Sequence, residues 1–281
     1  MPEGPEVRRQ ADRIAAALAG KPLTDVWLGF DHLEHRSESL RAAGLVGVET
    51  RGKAFLLRFG DGSTLYVHHL LYGRWTFGGA NIRKNGNRRL RVRVVAGDAG
   101  AYLWSATEVE LLDDVGVAQH PFLAGLGPDP LDPAITPEQV ALRLADPRFR
   151  RRTLGALYLD QKFMAGIGNY MRSEILFDAR VRPERRPMDL DPAQLERLAR
   201  STLVISRRAY EQGGVTSDAA RVKAGKAAGL PRYAWRHYVF GRTGACPECG
   251  EKVAKLVSAG RRIYLCDGCQ PLAEPLSRCG V

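Results

Sequence analysis

The 281-residue chain has no apolar run approaching the length of a membrane span, and its N-terminus lacks the charged and apolar regions of a signal peptide. A soluble cytoplasmic protein is expected, with no membrane partner. There is no internal repeat, so no repeat architecture has units to stack. Cysteine is scarce, five residues in all, and disulfides are disfavoured in a reducing cytoplasm. Acidic residues are also in deficit: Lys+Arg number 42 against 31 Asp+Glu, a net charge of +11 and a pI of about 9.7. That imbalance suits a polyanionic partner and would steer it electrostatically. A coding bias toward arginine would give the same charge, so the charge permits a nucleic-acid partner without requiring one. The 44% hydrophobic content can fill one large core or two ordinary ones.

The chain opens Met1-Pro2-Glu3-Gly4-Pro5-Glu6. If Met1 is removed, Pro2 becomes the terminus and its nitrogen a secondary amine. An α-amino group titrates near pH 7.7–8, so roughly a tenth of it is neutral and nucleophilic at pH 7. Such an amine attacks carbonyl carbon, and a secondary amine yields an iminium with a fixed positive charge, a good electron sink. Glu3 could supply the proton. Most chain ends are disordered tails, but Pro5 suits the first turn of a helix. Val7, Ala11, Ile14 and Leu18 share one helical face, and Gly20 with Pro22 ends the run.

Short β-rich pieces come next: Leu23–Gly29, Gly44–Thr50, Ala54–Phe59, Thr64–His69, Leu90–Ala96 and Ala101–Trp104. They predict a β-sandwich, with Asn81–Arg88 a polar loop. Proline and glycine crowd Gly125–Pro133, a linker, after which helical patterning appears over Pro137–Leu144, Leu154–Lys162, Tyr170–Phe177 and Pro192–Gln212. A Gly/Ala/Lys-rich loop is expected at Gly213–Gly229. The fold class is α+β: an N-terminal β-sandwich over 1–124, a linker over 125–137, a helical domain over 138–232 and a zinc finger over 233–281.

Cys246-Pro-Glu-Cys249 and Cys266-Asp-Gly-Cys269 enclose sixteen residues. Each pair can put two thiolates on one metal, and the spacing fits a Cys₄ zinc site, one zinc per chain. Between them, Lys252–Leu256 and Arg261–Leu265 can form a hairpin. Cys279 lies outside the metal spacing and reads as a free thiol. Leu70-Leu71-Tyr72 comes directly after His68-His69 and is either a buried strand end or an apolar wedge of the kind inserted where a nucleotide is extruded. Gly166 and Gly168 break the chain ahead of Asn169, which is either a helix cap or a phosphate donor at a helix N-terminus.

These motifs resemble the endonuclease VIII family of the formamidopyrimidine-DNA glycosylase/endonuclease VIII superfamily over nearly the whole chain. The resemblance rests on Met-Pro-Glu-Gly-Pro-Glu-Val-Arg-Arg at the N-terminus, Glu49-Thr-Arg-Gly-Lys-Ala54, Asp160-Gln…Gly168-Asn169-Tyr170 and the paired cysteines. It implies a bifunctional DNA glycosylase/abasic-site lyase, a monomer acting on double-stranded DNA with damaged bases, mainly oxidised pyrimidines, or abasic sites. In that reading Pro2 is the nucleophile and Glu3 the general acid. Lys53 lies near the lesion sugar, Leu70, Leu71 and Tyr72 fill the stack, and Asn169 with Arg261 grips phosphate. Asn169 then belongs to a helix–two-turn–helix, and zinc is structural, holding Arg261 on its hairpin; Arg262 is its rival by charge. Leu70 stands where the family has glutamine, and Gly125 where it often has arginine. Two alternatives share many of these features: an oxidised-purine-specific sister enzyme, which usually carries leucine where Gly4 stands, and a non-catalytic zinc-containing DNA-binding protein.

Overall fold

The computed structural model describes residues 2–80 and 86–272 and divides into two compact units, 1–126 and 127–281. The expected Asn81–Arg88 loop falls partly, and Cys279 wholly, outside the described residues.

In the first unit, α1 (Gly4–Leu18) begins with Glu3 as its N-cap and Pro5 in its first turn. Val7, Ala11, Ile14 and Leu18 are fully buried, and each larger aliphatic side chain contributes roughly 1.5–3 kcal/mol by leaving water. Then come β1 (Asp25–Leu28), α2 (Ser37–Ala43), β2 (Leu45–Arg51), β3 (Ala54–Phe59), β4 (Thr64–His68), β5 (Arg74–Gly78), β6 (Leu90–Ala96), β7 (Ala99–Trp104) and β8 (Glu108–Leu112), closed by α3 (Asp114–Gln119) and α4 (Pro121–Ala124). They form two antiparallel four-stranded sheets, ordered β1-β6-β7-β5 and β2-β3-β4-β8. Leu28, Val92, Val94 and Leu103 of one sheet and Phe55, Leu57, Leu65 and Val67 of the other share one core with the buried face of α1. That is a sandwich with a flanking helix. Strands β5 and β8 lie outside the expected set: Arg74-Trp-Thr-Phe-Gly and Glu108-Val-Glu-Leu-Leu each bury too little to show a clean alternation.

The second unit holds α5 (Pro137–Ala145), α6 (Leu154–Leu157), α7 (Asn169–Asp178), α8 (Pro192–Glu211), α9 (Ala219–Ala227), α10 (Arg232–Arg236) and the antiparallel hairpin β9 (Val253–Ser258) and β10 (Arg261–Cys266). Two expectations need correction. The helix expected over Leu154–Lys162 stops after one turn, because the Asp160 carboxylate takes the Lys162 N–H at 2.8 Å and the Gln161 side chain folds back onto the chain. The segment Gly213–Gly229 is not all loop: Asp218 caps α9 through the Arg221 N–H at 2.7 Å, and alanine, lysine and arginine favour the helix beyond it. The Pro/Gly-rich stretch is pinned to the second unit, since the Gly127 N–H donates to the Gln161 carbonyl and the Ala165 N–H to that of Pro128. No helix among the described residues is long and apolar enough to cross a membrane.

Every residue of α7 from Tyr170 to Phe177 is buried, Arg172 and Glu174 included. The Glu174 carboxylate accepts the N–H groups of Tyr238, Val239 and Phe240 at 2.8–2.9 Å and the Thr216 hydroxyl at 2.7 Å. It thereby joins the segments on either side of α9 and α10. Thr216 also bonds the Nδ1 of buried His237, whose ring stacks on Tyr170 at 5.1 Å.

His237 in this unit and His69 in the first are both pushed down to about 3, chiefly by burial. Arg236, Arg232 and Arg242 add to the effect at His237, and His68 adds to it at His69. A depressed histidine is neutral when folded and charges only on unfolding, so the unfolded chain binds more protons between pH 3 and 6.5 and acid destabilises the fold. At pH 5 each should cost about 2 kcal/mol relative to pH 7. Urea midpoints should fall between pH 7 and 5, and His69→Phe should remove part of that slope.

Candidate active site and metal centre

Pro2 sits half-buried immediately ahead of α1. Glu3 is 4% exposed, and its own N–H is accepted by the Glu6 carboxylate at 3.1 Å. Gly4 and Pro5 are buried as well, so the first turn of α1 is seated in the unit rather than frayed. The residues expected to attack and to donate a proton are therefore consecutive, on a fixed stem.

Lys53 lies in the two-residue turn Gly52-Lys53 joining β2 to β3, where Arg51 pairs with Ala54. Gly52 has φ 60°, the first central position of a type II′ hairpin, which glycine occupies without strain. Because Ala54 pairs with His68, the register puts Lys53 at the end of the sheet where β4 gives way to His69 and Leu70. The lysine charge reaches His68, whose pKa is lowered by burial first, with Glu108 opposing and Lys53 reinforcing the shift.

Leu70, Leu71 and Tyr72 occupy the connection in which the chain leaves β4 in one sheet for β5 in the other. They are 40%, 68% and 69% exposed, which overturns the buried-strand-end alternative. Leu70 has φ 48°, a left-handed conformation that costs a leucine about 1–2 kcal/mol. The crossing is held from behind: His69 is buried against Phe55 at 4.7 Å, the Gly73 N–H donates to the His69 carbonyl at 2.8 Å, and Arg88 donates to the Tyr72 carbonyl at 2.7 Å. A Cβ on Gly73 would lie 2.6 Å from the His69 oxygen, so the turn closes only around glycine. Three exposed apolar side chains on a braced, strained loop form a blade, not a core.

In the second unit, the turns between α6 and α7 wrap around Gln161. Its amide nitrogen donates to the Leu159 and Ile167 carbonyls, and its amide oxygen takes the Gly166 N–H, all at 2.9–3.0 Å. Asn169 is the first residue of α7, with Gly168 as the N-cap, so it is not a cap itself. Its Oδ1 accepts from the Arg172 guanidinium at 2.9 Å. Arg261 and Arg262 open β10, both exposed, directly after the Ala259-Gly260 turn. Asn169 and Arg261 meet through Arg172, which sequence reasoning missed. A charged residue inside the run Tyr170-Met-Arg-Ser-Glu-Ile-Leu-Phe177 was the available signal.

The Sγ atoms of Cys246, Cys249, Cys266 and Cys269 all lie within 4.8 Å of one another. Cys246 and Cys269 are 3.8 Å apart, and Cys249 and Cys266 3.3 Å. Disulfides would need about 2.05 Å, whereas four sulfurs about 2.3 Å from one ion lie about 3.8 Å apart. The donor set and its size fit a tetrahedral thiolate-bound metal. Ion pairs of Arg180 with Glu248 and Arg182 with Asp267 fasten the cysteine turns to the end of α7.

Comparison with known proteins agrees with this geometry. The formamidopyrimidine-DNA glycosylase N-terminal domain profile matches residues 1–106, and the formamidopyrimidine-DNA glycosylase H2TH domain profile matches 126–220. Endonuclease 8 of Escherichia coli is 43% identical over 96% of this chain and all of its own length. Endonuclease 8 of Klebsiella pneumoniae is 41% identical over the same shares. Among solved structures, Lactococcus lactis formamidopyrimidine-DNA glycosylase bound to abasic-site DNA covers 96% of this chain and all of its own, with a TM-score of 0.76 at 21% identity. A MutM complex with DNA containing carbocyclic 8-oxo-G has a TM-score of 0.77 at 20% identity, over the same shares. The chain therefore belongs to the endonuclease VIII family of the formamidopyrimidine-DNA glycosylase superfamily, whose members are DNA glycosylases with abasic-site lyase activity.

Proposed function

We propose that the chain excises oxidised bases, mainly pyrimidines, from double-stranded DNA and nicks the strand through an N-terminal proline Schiff base. The observation that carries this is the seating of Pro2 and Glu3: consecutive nucleophile and acid, on the buried first turn of α1. With Met1 removed, the Pro2 nitrogen bonds to the sugar C1′ as the base–sugar bond breaks, Glu3 supplying the proton that the departing base takes up. The C1′–O4′ bond then opens, O4′ gaining the proton that the Pro2 nitrogen sheds, and C1′ is left as an iminium. The resulting iminium draws electrons from the adjacent C–H bond. Loss of that proton expels the phosphate on the 3′ side, and a second elimination expels the one on the 5′ side. Lys53 assists the eliminations near the sugar, while Asn169 and Arg261 hold phosphate. A zinc ion on Cys246, Cys249, Cys266 and Cys269 supplies folding energy to the hairpin. The net charge of +11 supports a DNA partner.

Duplexes each carrying one lesion test the substrate class: oxidised pyrimidines should be processed faster than oxidised purines, and the reverse order would favour the sister specificity. Glu3→Gln should slow base release from intact lesions far more than cleavage at a pre-formed abasic site, which has already lost its base. Equal loss on both would remove Glu3 from the proton-donor role.

The exposed blade gives a second test. Burying a leucine in an opened base stack is worth roughly 1.5–3 kcal/mol, comparable to the few kcal/mol that extrusion costs. Leu71→Ala and Tyr72→Ala should slow excision from paired duplexes by about one to two orders of magnitude and lose much less on bubble substrates. Their stability should stay within about 0.5 kcal/mol of the parent, as for other exposed positions. Leu70 cannot hydrogen-bond an orphaned base, so discrimination by the opposite base should be shallow. A uniform loss on every substrate with a lower melting temperature would contradict the wedge.

A further inference from the structure

We infer that Arg172 is the positioning residue of the phosphate clamp, setting which end of the Asn169 carboxamide faces outward and fixing the turn from which Arg261 projects. This rests on the reading of Asn169 and Arg261 as phosphate contacts. Arg172 is fully buried. Its Nη1 donates to the Gly155 carbonyl of α6 at 2.6 Å and to the Ser258 carbonyl at 3.2 Å. Its Nη2 donates to the Asn169 Oδ1 at 2.9 Å and to the carbonyls of Arg261 and Arg262 at 3.2 and 3.3 Å. One guanidinium thus reaches α6, α7 and both strands of the hairpin.

A guanidinium has N–H donors and no acceptor, so only the oxygen of the Asn169 carboxamide can face it. The NH₂ is then turned away, and that is the end able to donate to a phosphate; the reverse flip would present an oxygen and repel it. An asparagine without such a neighbour can adopt either orientation, because the two ends are nearly the same shape. On the hairpin, Ser258 and Arg261 are the last register pair before the turn, and Ala259 there has φ 51°, a conformation an alanine does not choose unaided. Three carbonyls bonded to Arg172 flank that turn and set the direction in which Arg261 leaves it. Arg172 is buried, so it would act through Asn169 and Arg261 rather than on DNA itself.

The test uses full-length, zinc-loaded protein and a duplex carrying a tetrahydrofuran abasic analogue, titrated across salt. Asn169→Ala and Arg261→Ala should each weaken binding by about tenfold, the worth of one charge-assisted hydrogen bond, and Arg261→Ala, which alone removes a charge, should flatten the salt slope by about one phosphate. Arg172→Gln should reproduce the loss of both and raise KM on abasic duplex. Added to the Asn169→Ala/Arg261→Ala double variant, it should cost less than about twofold more. If the single variants leave affinity unchanged, and Arg261→Ala the salt slope as well, the phosphate-clamp reading falls. If they weaken binding but Arg172→Gln multiplies their effect, the reading stands and the inference falls. Asn169→Asp covers the case in which Arg172→Gln does not fold. Its carboxylate still accepts from Arg172 while turning an oxygen outward, so its melting temperature should match the parent and its affinity should drop below that of Asn169→Ala. A lowered melting temperature, or affinity equal to that of Asn169→Ala, would overturn the inference.

Discussion

In the proposed reading Pro2, once Met1 is removed, is tethered on one side only, so the residues C-terminal to it alone would position the proposed nucleophile. Here those residues form a helix whose first turn is buried. Gly4 and Pro5 are covered, the Glu6 carboxylate holds the Glu3 N–H, and Val7 to Leu18 lock the helix onto both sheets of the sandwich. Termini ordinarily fray because their backbone groups are in water and their side chains bury little. The stem behind Pro2 is anchored by the same core that holds the sandwich together, so loosening that core would loosen the proposed nucleophile. The same sandwich carries Lys53 on one hairpin turn and, through the register of β3 with β4, sets it beside the start of the exposed crossing loop.

The second unit depends on a different device. Helix α7 buries Arg172 and Glu174 two residues apart and uses each to collect backbone groups from remote segments. Arg172 gathers carbonyls of α6 and the hairpin; Glu174 gathers N–H groups of 238–240 and the Thr216 hydroxyl. Buried charges of this kind are a poor source of net stability. Their use is geometric, because a carboxylate or guanidinium with several backbone partners admits few alternative arrangements. The cysteine cluster closes the far end of the hairpin, so β9 and β10 are held at both ends.

Much of this was legible in the sequence, for reasons that differ from element to element. The α1 stripe and the strands Ala54–Phe59 and Leu90–Ala96 showed because their periodicity reports burial directly. The cysteine cluster showed because each Cys-x-x-Cys brings two thiolates within reach of one ion by local geometry alone. Strands β5 and β8 did not, since their side chains are half-exposed and alternate weakly. Helix α9 was obscured by glycines, although Asp218 was a usable cap signal. Leu70-Leu71-Tyr72 could be read either as core or as wedge, because apolar residues alone do not say which side of a surface they occupy; their exposure removes the core reading. Arg172 escaped because its role lies wholly in partners distant in sequence, at Gly155, Ser258 and Arg261.

The central claim is that the terminal amine does the chemistry. It is tested most directly by reacting the enzyme with abasic duplex in borohydride and locating the crosslink by peptide mass spectrometry. The account predicts one adduct, on the nitrogen of Pro2, and none after N-terminal acetylation. An adduct on Lys53, or trapping that survives acetylation, would contradict it.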